Sequence, residues 1–300
     1  MKVRIAFSLG TGGMNNGVEG FAGLVDDLER LGFDSLWLSE RITGPAPDPL
    51  AAIAFAAGRT TKLKFGTSVL VLPGRNPMLL AKELATIDRL SDGRLLPAVG
   101  LGAPDPAEHQ AFGIQREERA AWFDEALPLM RRLWTEDSVD HDGPRFTLKA
   151  ASIPLKPTQQ PLDVWLGGIA PSELRRVGRL GDGWLPSFVT PDDVAEKRPA
   201  VEAAAEAAGR ALDPEHWGAL IIYTTAADRL SDRLAQVIER RRPGLDPAAL
   251  VPSGYDALRA QCERFIERGF SKLVVLPAFA VDDWTAELER LAGAVVSLTT

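Results

Sequence analysis

Hydrophobic positions along the chain follow two alternating rhythms. Short β-rich runs recur from end to end: Val3 to Leu9, Ser35 to Ser39, Leu63 to Val71, Leu95 to Gly100, Val164 to Gly167, Gly183 to Pro186, Leu220 to Thr224 and Lys272 to Leu276. Between them apolar residues return at helical spacing. Phe21, Leu24, Val25, Leu28 and Leu31 form one stripe, ended by Gly32. Phe123, Ala126, Leu127, Met130 and Leu133 form a second, and Leu258, Cys262, Phe265 and Ile266 a third that stops at Gly269. Strands alternating with helices in this way predict parallel pairing through crossover helices, and a count of eight predicts an α/β (β/α)8 TIM barrel.

Capping signals support the boundaries. Asn76 precedes Pro77 at the first helical position, and Thr190-Pro191 with Asp193 repeats the device. Pro199 falls inside the following helical stretch, which predicts a kink or two short helices. Two segments exceed the minimal repeat. Val139 to Leu148, with Asp142-Gly143 in its middle, predicts a β-hairpin inserted between helix 4 and strand 5. The proline- and glycine-rich stretch from Arg242 to Gly254 predicts a loop between two helices. With no repeat and no break in composition, residues 1–300 read as one domain.

Composition narrows the chemistry. Apolar residues at 45% and charged residues at 25% describe a folded globular chain. The net charge of −7, with no basic tract beyond Arg240 to Arg242, gives nucleic acid no concentrated positive surface to bind. The start places Arg4 inside its short apolar stretch, and the longest apolar runs, Ala51 to Ala57 and Leu273 to Val281, fall short of the ~18 residues of a membrane span. A cytoplasmic protein without membrane partners is expected. The single cysteine, Cys262, lies on a helical stripe and reads as a buried structural thiol. His109, His141 and His216 stand apart and no Cys-x-x-Cys occurs, so no metal site is expected. Asp140 to Gly143 reads as a hairpin turn rather than a calcium loop, and no Gly-x-Ser-x-Gly elbow is present.

In a parallel barrel the active face lies at the carboxyl ends of the strands. Those ends are built mostly of small residues, among them Ser8, Gly10, Ser39, Ser68, Gly100, Gly102, Gly167, Gly168 and Ser187. Such tips predict a broad, shallow, largely apolar cavity suited to a flat ring system. Gly167-Gly168-Ile169-Ala170-Pro171 leads from a strand into a helix, so free backbone N–H groups there would favour an anion. Neither Gly10 to Gly13 nor Gly100-Leu101-Gly102 completes a dinucleotide fingerprint, because Asn15 and Asp105 take the third glycine position.

Several ordered motifs go beyond pattern. They are Gly32 to Glu40, Asp48-Pro49, Gly66 to Pro77, Leu90 to Arg94, Gly100-Leu101-Gly102, Glu125-Ala126-Leu127, Leu133-Trp134, Gly167-Gly168 and Asp182-Gly183-Trp184. Together they resemble the bacterial luciferase-like monooxygenase superfamily, and within it the actinobacterial branch of probable oxidoreductases that use the deazaflavin coenzyme F-420. The resemblance implies a luciferase-like barrel holding a deazaflavin, or alternatively flavin mononucleotide (FMN), at the strand ends. It also implies a non-proline cis peptide in the third strand, here Ser68–Val69. By the same carry-over Gly100 and Gly102 let backbone approach the ring, Gly167, Gly168 and Ile169 approach the cofactor phosphate, and Ser39 and Glu40 stand beside the redox centre.

The implied activity is hydride transfer between coenzyme F-420 and a small organic substrate. Arg41 would stabilise an anionic substrate or the reduced ring, Glu40 would orient the ring or shuttle a proton, and Trp184 would line the substrate side. For Glu40 and Arg41 the other reading is a salt bridge or loop anchor, and Arg75 reads as a loop anchor. Two positions depart from deazaflavin relatives: Arg41 stands where many have histidine, and Ala103 where the sugar-phosphate dehydrogenases have glutamate. Both argue against that dehydrogenase activity. Other readings are an FMN-dependent monooxygenase, a non-catalytic flavin-binding barrel, and a metal-free aldolase or isomerase barrel, for which Glu40 is the main strand-end support. A homodimer is the assembly the resemblance implies.

Overall fold

In the computed structural model, which describes residues 1–12, 17–225 and 230–300, eight parallel strands form the wall of a (β/α)8 barrel. They are β1 (Arg4–Gly10), β2 (Ser35–Leu38), β3 (Lys64–Thr67 and Leu70–Val71), β4 (Leu95–Leu96 and Ala98–Gly100), β5 (Trp165–Leu166), β6 (Gly183–Trp184), β7 (Gly218–Tyr223) and β8 (Lys272–Pro277). Pairing runs from β7 through β8 and β1 to β4, then through β5 to β6, and the bridges Trp184–Trp217 and Ser187–Leu220 join β6 to β7. All eight strand expectations match within a few residues. Gly13 and Asn15 of the first glycine-rich stretch lie outside the described residues.

The helices form where stripe and caps coincide. The first stripe becomes helix Gly17–Arg30, with Phe21, Leu24, Val25 and Leu28 buried. Asn76 Oδ1 accepts from the N–H groups of Met78 and Leu79, and Thr190 with Asp193 completes a reciprocal capping box. Two expectations are corrected. Of the kink or two short helices expected at Pro199, the two short helices are not found, because Pro191–Ala207 is one continuous helix. Pro199 is exposed, so the carbonyl it leaves unpaired one turn earlier can be solvated. The Arg242 to Gly254 loop contains a short helix, Pro247–Leu250, started by Asp246 accepting from Ala248 N–H. The expected hairpin is present as Val139–Asp142 paired with Thr147–Ala151, running three residues further than the sequence pattern suggested. Among the described residues no helix is long and apolar enough to cross a membrane.

The barrel interior is closed below by two indoles. Trp37 and Trp165 meet edge to face, 6.3 Å apart, within a cluster completed by Ala6, Ala98, Leu185 and Val274. Each needs a glycine on the neighbouring strand. A Cβ on Gly66 would come within 2.3 Å of the Trp37 ring, and one on Gly183 within 2.4 Å of the Trp165 ring. Only glycine therefore lets these rings lie across the barrel, and the plug leaves smaller residues to form the upper layer.

Candidate active site

The carboxyl ends of β2 and β3 are knitted together around one bend. The Ser68–Val69 peptide is cis, as the resemblance implied. Ser68 N–H donates to Leu38 O at 2.8 Å and Glu40 N–H to Val69 O at 3.2 Å, so β2 holds both sides of the linkage. Ser39 Oγ donates to Ser68 O at 3.0 Å and lies 3.2 Å from Ser68 Oγ. Where the β3 backbone leaves the ladder, the Thr67 hydroxyl bridges to Ala98 of β4, donating to its carbonyl at 2.7 Å and accepting from its N–H at 2.9 Å.

Val69 is directed over the tryptophan plug. It packs on the interior cluster, and a Cβ on Gly100 would come within 2.6 Å of its Cγ2. Gly102, at φ +81°, sits as closely against Val71, with a virtual Cβ 3.0 Å from Cγ1. The glycines of β4 thus accommodate the bulge of β3. The result is a floor made by Val69, rimmed by Ser39, Ser68, Gly100 and Gly167.

Glu40 and Arg75 secure the outer half of β3. Glu40 Oε2 accepts from Val71 N–H at 2.7 Å, its other oxygen pairs with Arg75, and Arg75 Nε donates to Val71 O at 3.0 Å. Both backbone groups of Val71 are therefore gripped from one side. Burial lifts the Glu40 carboxyl above its usual range, against the opposing pull of Arg75 and the Val71 N–H. The anchor reading of Arg75 agrees with this geometry. For Glu40 both carboxylate oxygens take part in this anchor, which is the salt-bridge reading of the residue, and its expected role in orienting the ring or carrying a proton stays a proposal.

Arg41 is likewise occupied. Its guanidinium pairs with Asp105, and its Nε lies 3.8 Å from Glu108. Glu108 is buried and also accepts from Thr43 N–H at 2.9 Å, Thr43 Oγ1 at 2.5 Å and Ile42 N–H at 3.3 Å. The loop after β2 is thereby strapped to the helix after β4, which is the salt-bridge reading of Arg41, and its expected role towards an anionic substrate or the reduced ring stays a proposal.

Two further expectations change. Trp184 is completely buried, its ring edge-on to Trp217 and Phe270. It offers no face to a substrate. Its Nε1 instead donates to Gly168 O at 2.9 Å, fixing the glycine turn after β5. At that turn the N–H groups of Ile169 and Ala170 are not free: both donate to Glu173 Oε2 at 2.9 Å. A carboxylate from the first turn of helix Pro171–Leu180 thus occupies the donors expected to meet a phosphate.

Arg119 went unnoticed in the sequence. It is buried, and its guanidinium donates to the carbonyls of Leu101, Gly102 and Ala103 at 3.1–3.2 Å, holding the backbone after β4. Its position one helical turn before Phe123, at the start of that stripe, was the available signal. Cys262 is buried as expected, and burial pushes its thiol up to about 12, so it stays protonated.

The architecture is a parallel barrel with a glycine-relieved bulge in its third strand, and comparison with known proteins agrees on the fold. The family model described as luciferase-like monooxygenase matches residues 3–268, and the chain belongs to that family. A protein from Kribbella flavida named F-420-dependent glucose-6-phosphate dehydrogenase is 30% identical over 295 residues, covering 82% of this chain and 84% of that one. A namesake from Kineococcus radiotolerans is 30% identical over 194 residues, or 61% of this chain, and the match spans less than two thirds of that protein, 57%. Among solved structures, an F-420-dependent secondary alcohol dehydrogenase in complex with an F-420–acetone adduct has a TM-score of 0.81 at 20% identity, with full coverage of both chains. A monooxygenase from Streptomyces bottropensis has a TM-score of 0.79 at 23% identity, covering 98% of this chain and 99% of that one. These two show the shared fold.

Proposed function

We propose that this chain is an oxidoreductase that binds coenzyme F-420 at the carboxyl-terminal mouth of the barrel and exchanges a hydride between it and a small organic substrate. The observation that supports this reading most is the floor of the mouth: Val69 packed on the tryptophan cluster and bordered by the small residues Ser39, Ser68, Gly100 and Gly167. A planar ring fits such a surface. Its redox carbon supplies or accepts the hydride, and the rest falls to the protein.

Val69 would back the ring and Ser39 and Ser68 would border one edge, their hydroxyls already held in a fixed relation. Gly100 and Gly102 would admit the ring close to the β4 backbone, which Arg119 keeps in place. Glu40 and Arg75 act as positioning residues through Val71, and Arg41 through the rim strap. Gly167, Gly168 and Ile169 would receive the cofactor phosphate once Glu173 yields the Ile169 and Ala170 donors. Holding donor and acceptor carbons about 3–3.5 Å apart with water excluded is the catalytic contribution left to the chain.

Absorbance titration of the purified protein with coenzyme F-420 and, separately, with FMN tests this proposal. Saturable binding of the deazaflavin with weak or no binding of FMN is expected. Tight FMN binding with F-420 ignored would instead support a monooxygenase, and binding of neither would leave no redox role for the mouth.

A further inference from the structure

The inserted hairpin stands outside the eightfold repeat, and its fastening leads back to the floor of the mouth. Its strands Val139–Asp142 and Thr147–Ala151 pair with each other and, among the described residues, with no strand of the barrel. A lone two-stranded ribbon is marginal in water, so packing must hold it. The support is the start of helix Arg119–Thr135.

Two residues one turn apart on that helix receive the hairpin. Glu125 Oε1 lies 2.9 Å from His141 Nε2 and accepts from the N–H groups of Phe146 at 3.1 Å and Arg145 at 3.3 Å. Gly143 makes this approach possible, because a Cβ there would come within 2.1 Å of the same carboxylate oxygen. Trp122 meets the Phe146 ring edge to face at 5.1 Å, and the Arg145 guanidinium lies 5.9 Å from the Trp122 ring centroid. The hairpin tip thereby sets the orientation of the half-buried indole.

That indole reaches the third strand. Trp122 Nε1 donates to Arg75 O at 3.2 Å. Arg75 in turn donates from Nε to Val71 O and pairs with Glu40, which accepts from Val71 N–H. The grip matters because β3 is unevenly supported. Its inner half, Lys64–Thr67, pairs with both β2 and β4, whereas among the described residues Leu70–Val71 has ladder pairing on the β4 side alone. A segment bonded on one side depends on side-chain ties for its position on the other. The same helix start also sends Arg119 to the carbonyls after β4, so both strands beneath the mouth are steadied from one place.

We infer that the hairpin is a buttress for the third-strand bulge and that Trp122 is a positioning residue, fixing Arg75 and through it Val71 and the Val69 floor on which the cofactor ring rests. For the cofactor this rests on the redox reading above, whereas the path from hairpin to floor rests on the contacts themselves.

Amide hydrogen exchange of the whole protein without cofactor, read at Val71, tests the path, and F-420 titration of the same variants tests its consequence. Trp122→Phe keeps a ring but removes the N–H donated to Arg75 O, and Phe146→Ala removes the hairpin's contact with the indole. Each is expected to speed exchange at Val71 about fivefold and to raise the F-420 dissociation constant by a similar factor. Exchange at Thr61, Lys62 and Leu63, whose N–H groups Glu29 holds, should match the parent, and Phe146→Tyr, which keeps the ring, should behave like the parent in both measurements. Unchanged exchange at Val71 in both variants, equal acceleration at Val71 and at Thr61 to Leu63, or unaltered F-420 affinity beside faster Val71 exchange would overturn the inference. A parent protein that fails to bind F-420 would remove the redox reading, and Val71 exchange would then decide on the buttress by itself.

Discussion

Glu29 shows how much a single carboxylate can organise. It receives the backbone N–H groups of Thr61, Lys62 and Leu63, each at 3.0 Å, and so holds the turn that feeds β3. Burial would raise its pKa, but these donors override it and bring the value from 4.5 down to about 2. A carboxyl depressed in the folded state stabilises it fully above the unfolded value and stops doing so as pH falls through the folded one. Thermal melts across pH should therefore show Glu29→Gln less stable than the parent at neutral pH, with the gap closing between pH 4.5 and about 2. A gap independent of pH would contradict this assignment. Packing at Gly66 predicts a different signature. Its Ala variant drives a methyl into the Trp37 ring and should cost about 1–3 kcal/mol in denaturant unfolding at every pH.

At the scale of elements, the glycine turn after β5 and helix Pro171–Leu180 form one device with an internal anion. Glu173 caps the helix with a charge that any phosphate must displace or repel. Replacing it with alanine should weaken the helix start by about 1 kcal/mol yet tighten binding of phosphate-bearing F-420 several-fold. The ring fragment lacking phosphate should bind both proteins alike. An equal shift for both ligands, or none for either, would mean that the phosphate does not reach these donors. This element also marks what the sequence made legible. Gly167-Gly168 and Pro171 announced a strand-to-helix turn with exposed N–H groups, because backbone geometry follows from glycine and proline. That Glu173 would fill those donors depended on a rotamer, to which local pattern is blind. Trp184 was misread for a similar reason: position at a strand end does not say which face a side chain takes when the observed strand is two residues long.

For the molecule as a whole, the eightfold alternation was visible because each strand and each helix must bury its own apolar face, and periodicity records that requirement directly. The third-strand bulge came from motif resemblance rather than from periodicity, since Leu63 to Val71 reads as one unbroken run. Least visible were the long-range ties that shape the mouth: Glu40 to Arg75, Arg41 to Asp105, Arg119 to the β4 loop. They join residues 35, 64 and about 17 positions apart, which no window of sequence brings together. Their shared consequence, among the described residues, is that Arg41, Arg75 and Arg119 at the rim are spent on structure while Val69 makes the floor apolar. The most direct test of that picture is a crystal structure of the protein with coenzyme F-420 bound. The account predicts the deazaflavin ring in van der Waals contact with Val69, bordered by Ser39 and Gly100. A ring lodged elsewhere, or separated from Val69 by an intervening side chain, would contradict it.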